Sequence, residues 1–113
     1  MIYIAAPYSH PDKAIIEHRM KVVQRAIAKY MSLGVHALSP LLAHHVLNEG
    51  IELPTDYEFW QDYCKDILVR CDEMRIITLP GWKESIGISD EIKCCQRNHM
   101  PFSNITEEWV MEV

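Results

Sequence analysis

Residues 2 to 6, IYIAA, form an unbroken apolar run stopped by Pro7. Such a run suits a strand buried on both faces, as in a parallel sheet. From Asp12 to Leu33 the period changes, with Ile16, Met20, Val23, Ile27 and Tyr30 recurring at three and four positions and charges between them. That spacing, closed by Gly34, predicts an amphipathic helix. VHALSP (35–40) reads as a second short strand stopped by proline, and LLAHHVLNEG (41–50) as a short helix ending at Gly50. ELPTD (52–56) is a connector in which Thr55 or Asp56 can cap the next helix. On that helix Trp60, Tyr63, Cys64, Ile67, Leu68 and Cys71 form the apolar stripe. Met74 to Leu79 reads as a third strand, followed by the turn-rich LPGWKES and a helix to about Asn98. A short strand around 100–103 and a helix from Thr106 complete the pattern.

Strands alternating with helices predict an α/β domain with a parallel sheet between helical layers. In such sheets ligands bind beyond the carboxyl ends of the strands, where the strand order reverses. The segments expected there are APYSH after the first strand, with Ala6, Pro7 and Tyr8, and LPGWKES after the third, with Gly81, Trp82 and Ser85.

Composition changes this picture little. The chain has 113 residues, 49% of them hydrophobic and 24% charged, which suits one globular domain over residues 1–113. No apolar run approaches the roughly 18 residues of a membrane span. The start, MIYIAAPYSH, lacks the basic region and cleavage pattern of a signal peptide, so a cytoplasmic location is expected. The net charge of −5, with acids and bases mixed, disfavours a nucleic-acid polymer as partner. Cys64, Cys71, Cys94 and Cys95 form no C-x-x-C pair and read as buried hydrophobes or surface thiols. His44-His45 lacks the spacing that sets two ligands on one helical face, so no metal and no cofactor is expected.

The fourth helix carries the candidate chemistry. At about 100° per residue, Ile88, Ile92 and Cys95 share one stripe toward the sheet, and Asp90 is expected nearly opposite, in solvent. Glu91 lies at the edge of the buried stripe, about one turn from the helix start, where partial desolvation raises a carboxyl pKa. Position alone leaves a flanking surface glutamate as the simpler reading. Ser85 is a natural N-cap, and Gly87 lets a ligand approach the backbone; the same pair also reads as an ordinary cap after a tight turn. Tyr3 would bury its ring in the first strand and need a partner for its hydroxyl. Asp62 and Asp66 share a helix face away from the Trp60 stripe, where paired acids are usually solvated.

Together, IYIAAPYS, CDEMRIITLPGW and the S-x-G-x-x-x-E of Ser85, Gly87 and Glu91 resemble the nucleoside 2-deoxyribosyltransferase-like superfamily. The nearest likeness is to its branch of short bacterial and phage proteins of the DUF1937/DUF4406 kind, over roughly residues 1–103. The resemblance implies a flavodoxin-like parallel sheet of about five strands. It also implies cleavage of an N-glycosidic bond by a glutamate nucleophile at Glu91, with Tyr3 as its orienter and Ser85 against a 5′-phosphate. In that family an aspartate often protonates the leaving base. The matching position here is Cys64, with Asp62 and Asp66 two residues to either side.

The expected function is therefore cleavage or transfer at the N-glycosidic bond of a nucleoside or nucleoside 5′-monophosphate, with a small-molecule ligand and no membrane partner. The alternative is a module of the same fold that binds a nucleotide-like ligand without turnover. A homodimer or larger assembly is also expected, because Phe59, Trp60 and Trp109 would leave apolar surface to cover, and the resembled enzymes complete their sites across subunits.

Overall fold

The computed structural model describes residues 1–46 and 50–112, with Val46 described by its backbone alone. Four parallel strands lie in the order β2-β1-β3-β4, where β1 is Ile2–Ala5, β2 Ala37–Leu38, β3 Glu73–Ile77 and β4 Phe102–Ile105. The resemblance implied about five strands; four form among the described residues. The expected helix over 41–50 is Pro40–Val46 (α2), and residues 47–49 lie outside the described residues.

The long helix α1 spans Lys13–Ser32, opened by Asp12, whose carboxylate accepts from the Ala14 N–H. Asp56 caps α3 (Tyr57–Leu68) and Ser85 caps α4 (Ile86–Arg97) through the Ile88 N–H at 3.2 Å. Thr106 caps the short α5, Glu107–Met111. Short polar side chains thus start each of these helices by satisfying N–H groups that have no partner inside the helix.

Alternation along β1 divides its side chains between two cores. Ile2, Ile4 and Ala6 join Met20, Val23, Ala26, Ile77 and Val110 on the α1–α5 face. Tyr3 and Ala5 join Leu68, Met74, Ile76, Ile88, Cys94 and Cys95 on the α3–α4 face. The sheet is therefore the middle of three layers. From β1 the chain crosses to β2 on one side, while β3 pairs with the other side of β1, so the strand order reverses between β1 and β3. A crevice must open where the connections leave those two carboxyl ends in opposite directions.

Candidate active site

That crevice holds a cavity of about 570 Å³, within the range of ordinary small-ligand sites. Its walls come from the 6–10 loop, the 81–87 turn and the facing sides of α3 and α4. Ala6, Pro7, Tyr8, Gly81, Ser85, Gly87 and Glu91 all line it. Trp82 does not; its ring packs, half-buried, against the α3–α4 core.

Tyr3 points from β1 into the α3–α4 layer and donates its hydroxyl to Glu91 Oε2 across 88 positions of sequence. Burial pushes the Glu91 carboxyl up to about 7; the Tyr3 bond pulls against this and the neighbouring Asp90 charge adds to it. Burial first, and then the Glu91 charge, hold the Tyr3 phenol well above its usual value, so it stays a donor. Cys64 lines the same cavity, and burial together with the Glu91 charge pushes its thiol up to about 11. Among the described residues, no buried side-chain polar atom lacks a hydrogen-bond partner.

Asp62 and Asp66 lie on the exposed side of α3 and do not line the cavity; Asp66 instead meets Arg70 one turn on, at 3.3 Å. Asp90, expected in solvent, faces the cavity instead. The wheel that sets it opposite the sheet takes no account of α3, which packs beside α4. There Asp90 accepts from the Tyr57 hydroxyl and, at 3.0 Å, from Gln61 Nε2.

Arg19 is the residue that the hydrophobic pattern does not single out. It is only 7% exposed and lines the cavity from α1. Its Nη1 donates to the carbonyls of Ser9 (3.0 Å) and Tyr8 (3.3 Å), and its Nη2 to the carbonyl of Pro80 (2.9 Å). One guanidinium thus ties together the two loops that leave the crevice. Among the described residues, no carboxylate pairs with it. Gly81 makes room for it: φ is +93°, and a Cβ there would stand 3.0 Å from Arg19 Nη2. A signal is present in the sequence, since position 19 sits three after Ile16 and four before Val23, on the buried stripe.

A wall of rings closes another side. Tyr8 stacks on His44 with centroids 4.5 Å apart, and His44 on Trp60 at 4.3 Å. The Tyr8 hydroxyl meets His45 Nδ1 at 3.2 Å, and Trp60 Nε1 donates to the Pro54 carbonyl at 2.8 Å. Burial and the adjacent His45 hold the His44 pKa below its ordinary value, keeping the stacked ring neutral at pH 7.

A family model described as "Domain of unknown function (DUF1937)" matches residues 1–107. The chain belongs to the DUF1937 family. No curated protein matches the sequence. The matched segment holds every residue of the cavity wall, so the crevice belongs to the family domain and not to an appendage. Among the described residues no helix is long and apolar enough to cross a membrane, and no three His, Cys, Asp or Glu side chains gather as a metal-ligand set. Of the three aromatic residues expected to seek a partner surface, Trp60 is 7% exposed and Trp109 packs on Tyr30 beneath Lys29. Phe59 alone stays exposed, at 40%.

Proposed function

We propose that this chain cleaves, or transfers at, the N-glycosidic bond of a nucleoside 5′-monophosphate or nucleoside, with Glu91 as nucleophile. The observation that carries the reading is Glu91 on the wall of the crevice cavity, held from behind by the hydroxyl of the buried Tyr3. A carboxylate drawn out of water is more reactive toward a carbon bearing positive charge, and a hydrogen bond to one oxygen leaves the other free to attack.

Glu91 Oε1 would form a bond to the anomeric carbon as the C1′–N bond breaks, with its electron pair leaving on the base. The base takes up a proton, and water or a second base then displaces Glu91 from the sugar. The tuned pKa suits this work, since near neutral pH the group ionises readily and its charge is stabilised by the developing oxocarbenium ion. Arg19 favours a phosphorylated substrate. A buried guanidinium bonded only to carbonyls has no carboxylate partner among the described residues, and a phosphate in the same cavity would answer it. The Ser85 cap and the N-terminus of α4 lie on that cavity wall and favour the same group.

One observation favours the second reading, binding without turnover. Neither Asp62 nor Asp66 reaches the cavity, and Cys64 holds its proton too tightly to protonate a leaving base efficiently. The two readings separate in one experiment. Nucleosides and their 5′-monophosphates are incubated with the protein, free base is followed by chromatography, and binding is measured by calorimetry. Base release that disappears in Glu91→Gln supports catalysis. Heat of binding with no base supports the module, and neither signal overturns both. A homodimer is part of this proposal, on the strength of exposed apolar side chains such as Phe59 and Ile86; a monomer in light scattering overturns it.

A further inference from the structure

The cleavage step proposed above does not use the Asp90 cluster, yet the cluster stands on the same cavity. α3 leads into β3, so its N-terminus lies at the carboxyl edge of the sheet, and α4 starts from that edge. Going up α3 from Cys64, beside Glu91, the cavity-lining residues are Gln61 one turn higher and Tyr57 one turn beyond. Asp90 faces these two from α4. The cluster therefore sits above the Tyr3–Glu91 pair, toward the mouth, between α3 and α4.

Its hydrogen-bond polarity is fixed. Tyr57 and Gln61 both donate to the same oxygen, Oδ2 of Asp90. With its amide N–H turned toward Asp90, Gln61 keeps its carbonyl oxygen, an acceptor, for another partner. Asp90 Oδ1 accepts no hydrogen bond among the described residues. The cluster thus offers a ligand two acceptors. A ligand group that brings only acceptors meets repulsion and loses its water; one that brings N–H donors meets complementary oxygens.

We propose that the Tyr57–Gln61–Asp90 cluster is the base-selecting edge of the cavity and favours bases bearing an exocyclic amino group over their oxo counterparts. This rests on the N-glycosidic reading above. With the sugar at Glu91 and a 5′-phosphate toward Arg19 and Ser85, the base extends to the remaining side, along α3. There the Tyr8–His44–Trp60 rings supply an apolar wall for its flat face. The edge of the base then meets Asp90 Oδ1 and Gln61 Oε1. Tyr57 acts through Asp90, positioning the carboxylate and not touching the ligand.

The test uses matched pairs that exchange an exocyclic amino group for an oxo group, with the adjacent ring nitrogen changing from acceptor to N–H: adenosine 5′-monophosphate against inosine 5′-monophosphate, and cytidine 5′-monophosphate against uridine 5′-monophosphate. Calorimetric Kd and rate of base release are measured for the parent, Asp90→Asn and Tyr57→Phe. The parent is expected to prefer the amino member of each pair by at least about ten-fold in Kd or kcat/KM, because one mismatched polar group in a partly desolvated site costs that much or more. Asp90→Asn, which can turn a donor toward the ligand, should bring each ratio to within about two-fold. Tyr57→Phe should lower it by less. Ratios within a pair cancel any general loss of folded protein, and thermal melting of each variant checks that it folds. Equal or reversed preference in the parent overturns the selecting edge while leaving the N-glycosidic reading intact if base is still released. A preference that survives Asp90→Asn overturns it equally. If no member of either pair binds or is cleaved, both readings fall.

Discussion

On the α1–α5 face, the sheet meets Met20, Val22, Val23, Ala26, Ile77 and Val110, and these side chains fill the space between layers. The α3–α4 face has its own apolar members, Ala5, Leu68, Met74, Ile76 and Ile88, but adds three thiols, Cys71, Cys94 and Cys95, and the hydrogen-bonded pair of Tyr3 and Glu91. Both faces derive from one strand, β1, whose alternate residues point either way. The first face closes over its own apolar surface and gains stability from packing. The second gives up some apolar contact to bury an ionisable pair beside the crevice. A buried charge held at its functional position costs stability, and the apolar face opposite supplies the margin that tolerates it.

Changing the chemical face at its centre should give the largest effect. Glu91→Gln preserves shape and removes the charge that would meet the anomeric carbon. Base release should fall by several powers of ten while ligand Kd changes little. The same variant sharpens the contrast through pH. Glu91 has a folded value of about 7 against an ordinary value of 4.5, so between those values the folded chain holds a proton that the unfolded chain releases. Stability contributed by the protonated carboxyl is complete below about pH 4.5 and is lost as pH rises through 7. Glu91→Gln cannot ionise, so its melting temperature relative to the parent should rise from pH 5 to pH 8. A difference independent of pH would mean that the carboxyl is not held out of water.

Next in size is the packing face. Ile77, fully buried against α1 and α5, should cost about 2–5 kcal/mol as Ile77→Ala, read by denaturant unfolding. Where the variant remains folded, its pH profile of base release should match that of the parent. A changed profile would show that the faces are not separable. A smaller effect is expected for Tyr3→Phe, which keeps the ring in the core but removes the bond that draws the Glu91 pKa down. The acid limb of the rate profile should move to higher pH, so activity falls more at pH 6.5 than at pH 8.5. An unmoved limb would leave Tyr3 a packing residue only. The smallest effect belongs to Asp66→Asn. Its carboxylate is exposed and paired only with Arg70, so stability and base release should both stay near the parent. A large loss of base release would make Asp66 the missing acid and would require α3 to turn.

Much of this contrast is legible in the order of the amino acids. The apolar run of β1, the three-and-four spacing of α1, and the caps Asp12, Asp56 and Ser85 are local signals, and the elements form where those signals lie. Glu91 at the border of an apolar stripe is legible as well, because the rotation per residue of a helix is the same in any protein. Asp90 is misplaced by the same rule. Helical periodicity shows which residues oppose the sheet, but not that a second helix stands on that side and encloses the space between. Arg19 is hidden differently: its position on the buried stripe is visible, but its three carbonyl partners come from loops 10, 11 and 61 positions away.

The sequence by itself determined the alternation of strands and helices, the buried side of each, and the segments that gather at the carboxyl edge. Those properties depend on neighbours three or four positions apart and on steric rules of the backbone. Only the tertiary structure decided that Asp90 faces the cavity while Asp62 and Asp66 do not, and that Arg19 joins both loops. Those outcomes depend on how far each helix turns about its own axis when it packs, and that angle is set by contacts between side chains far apart in the chain.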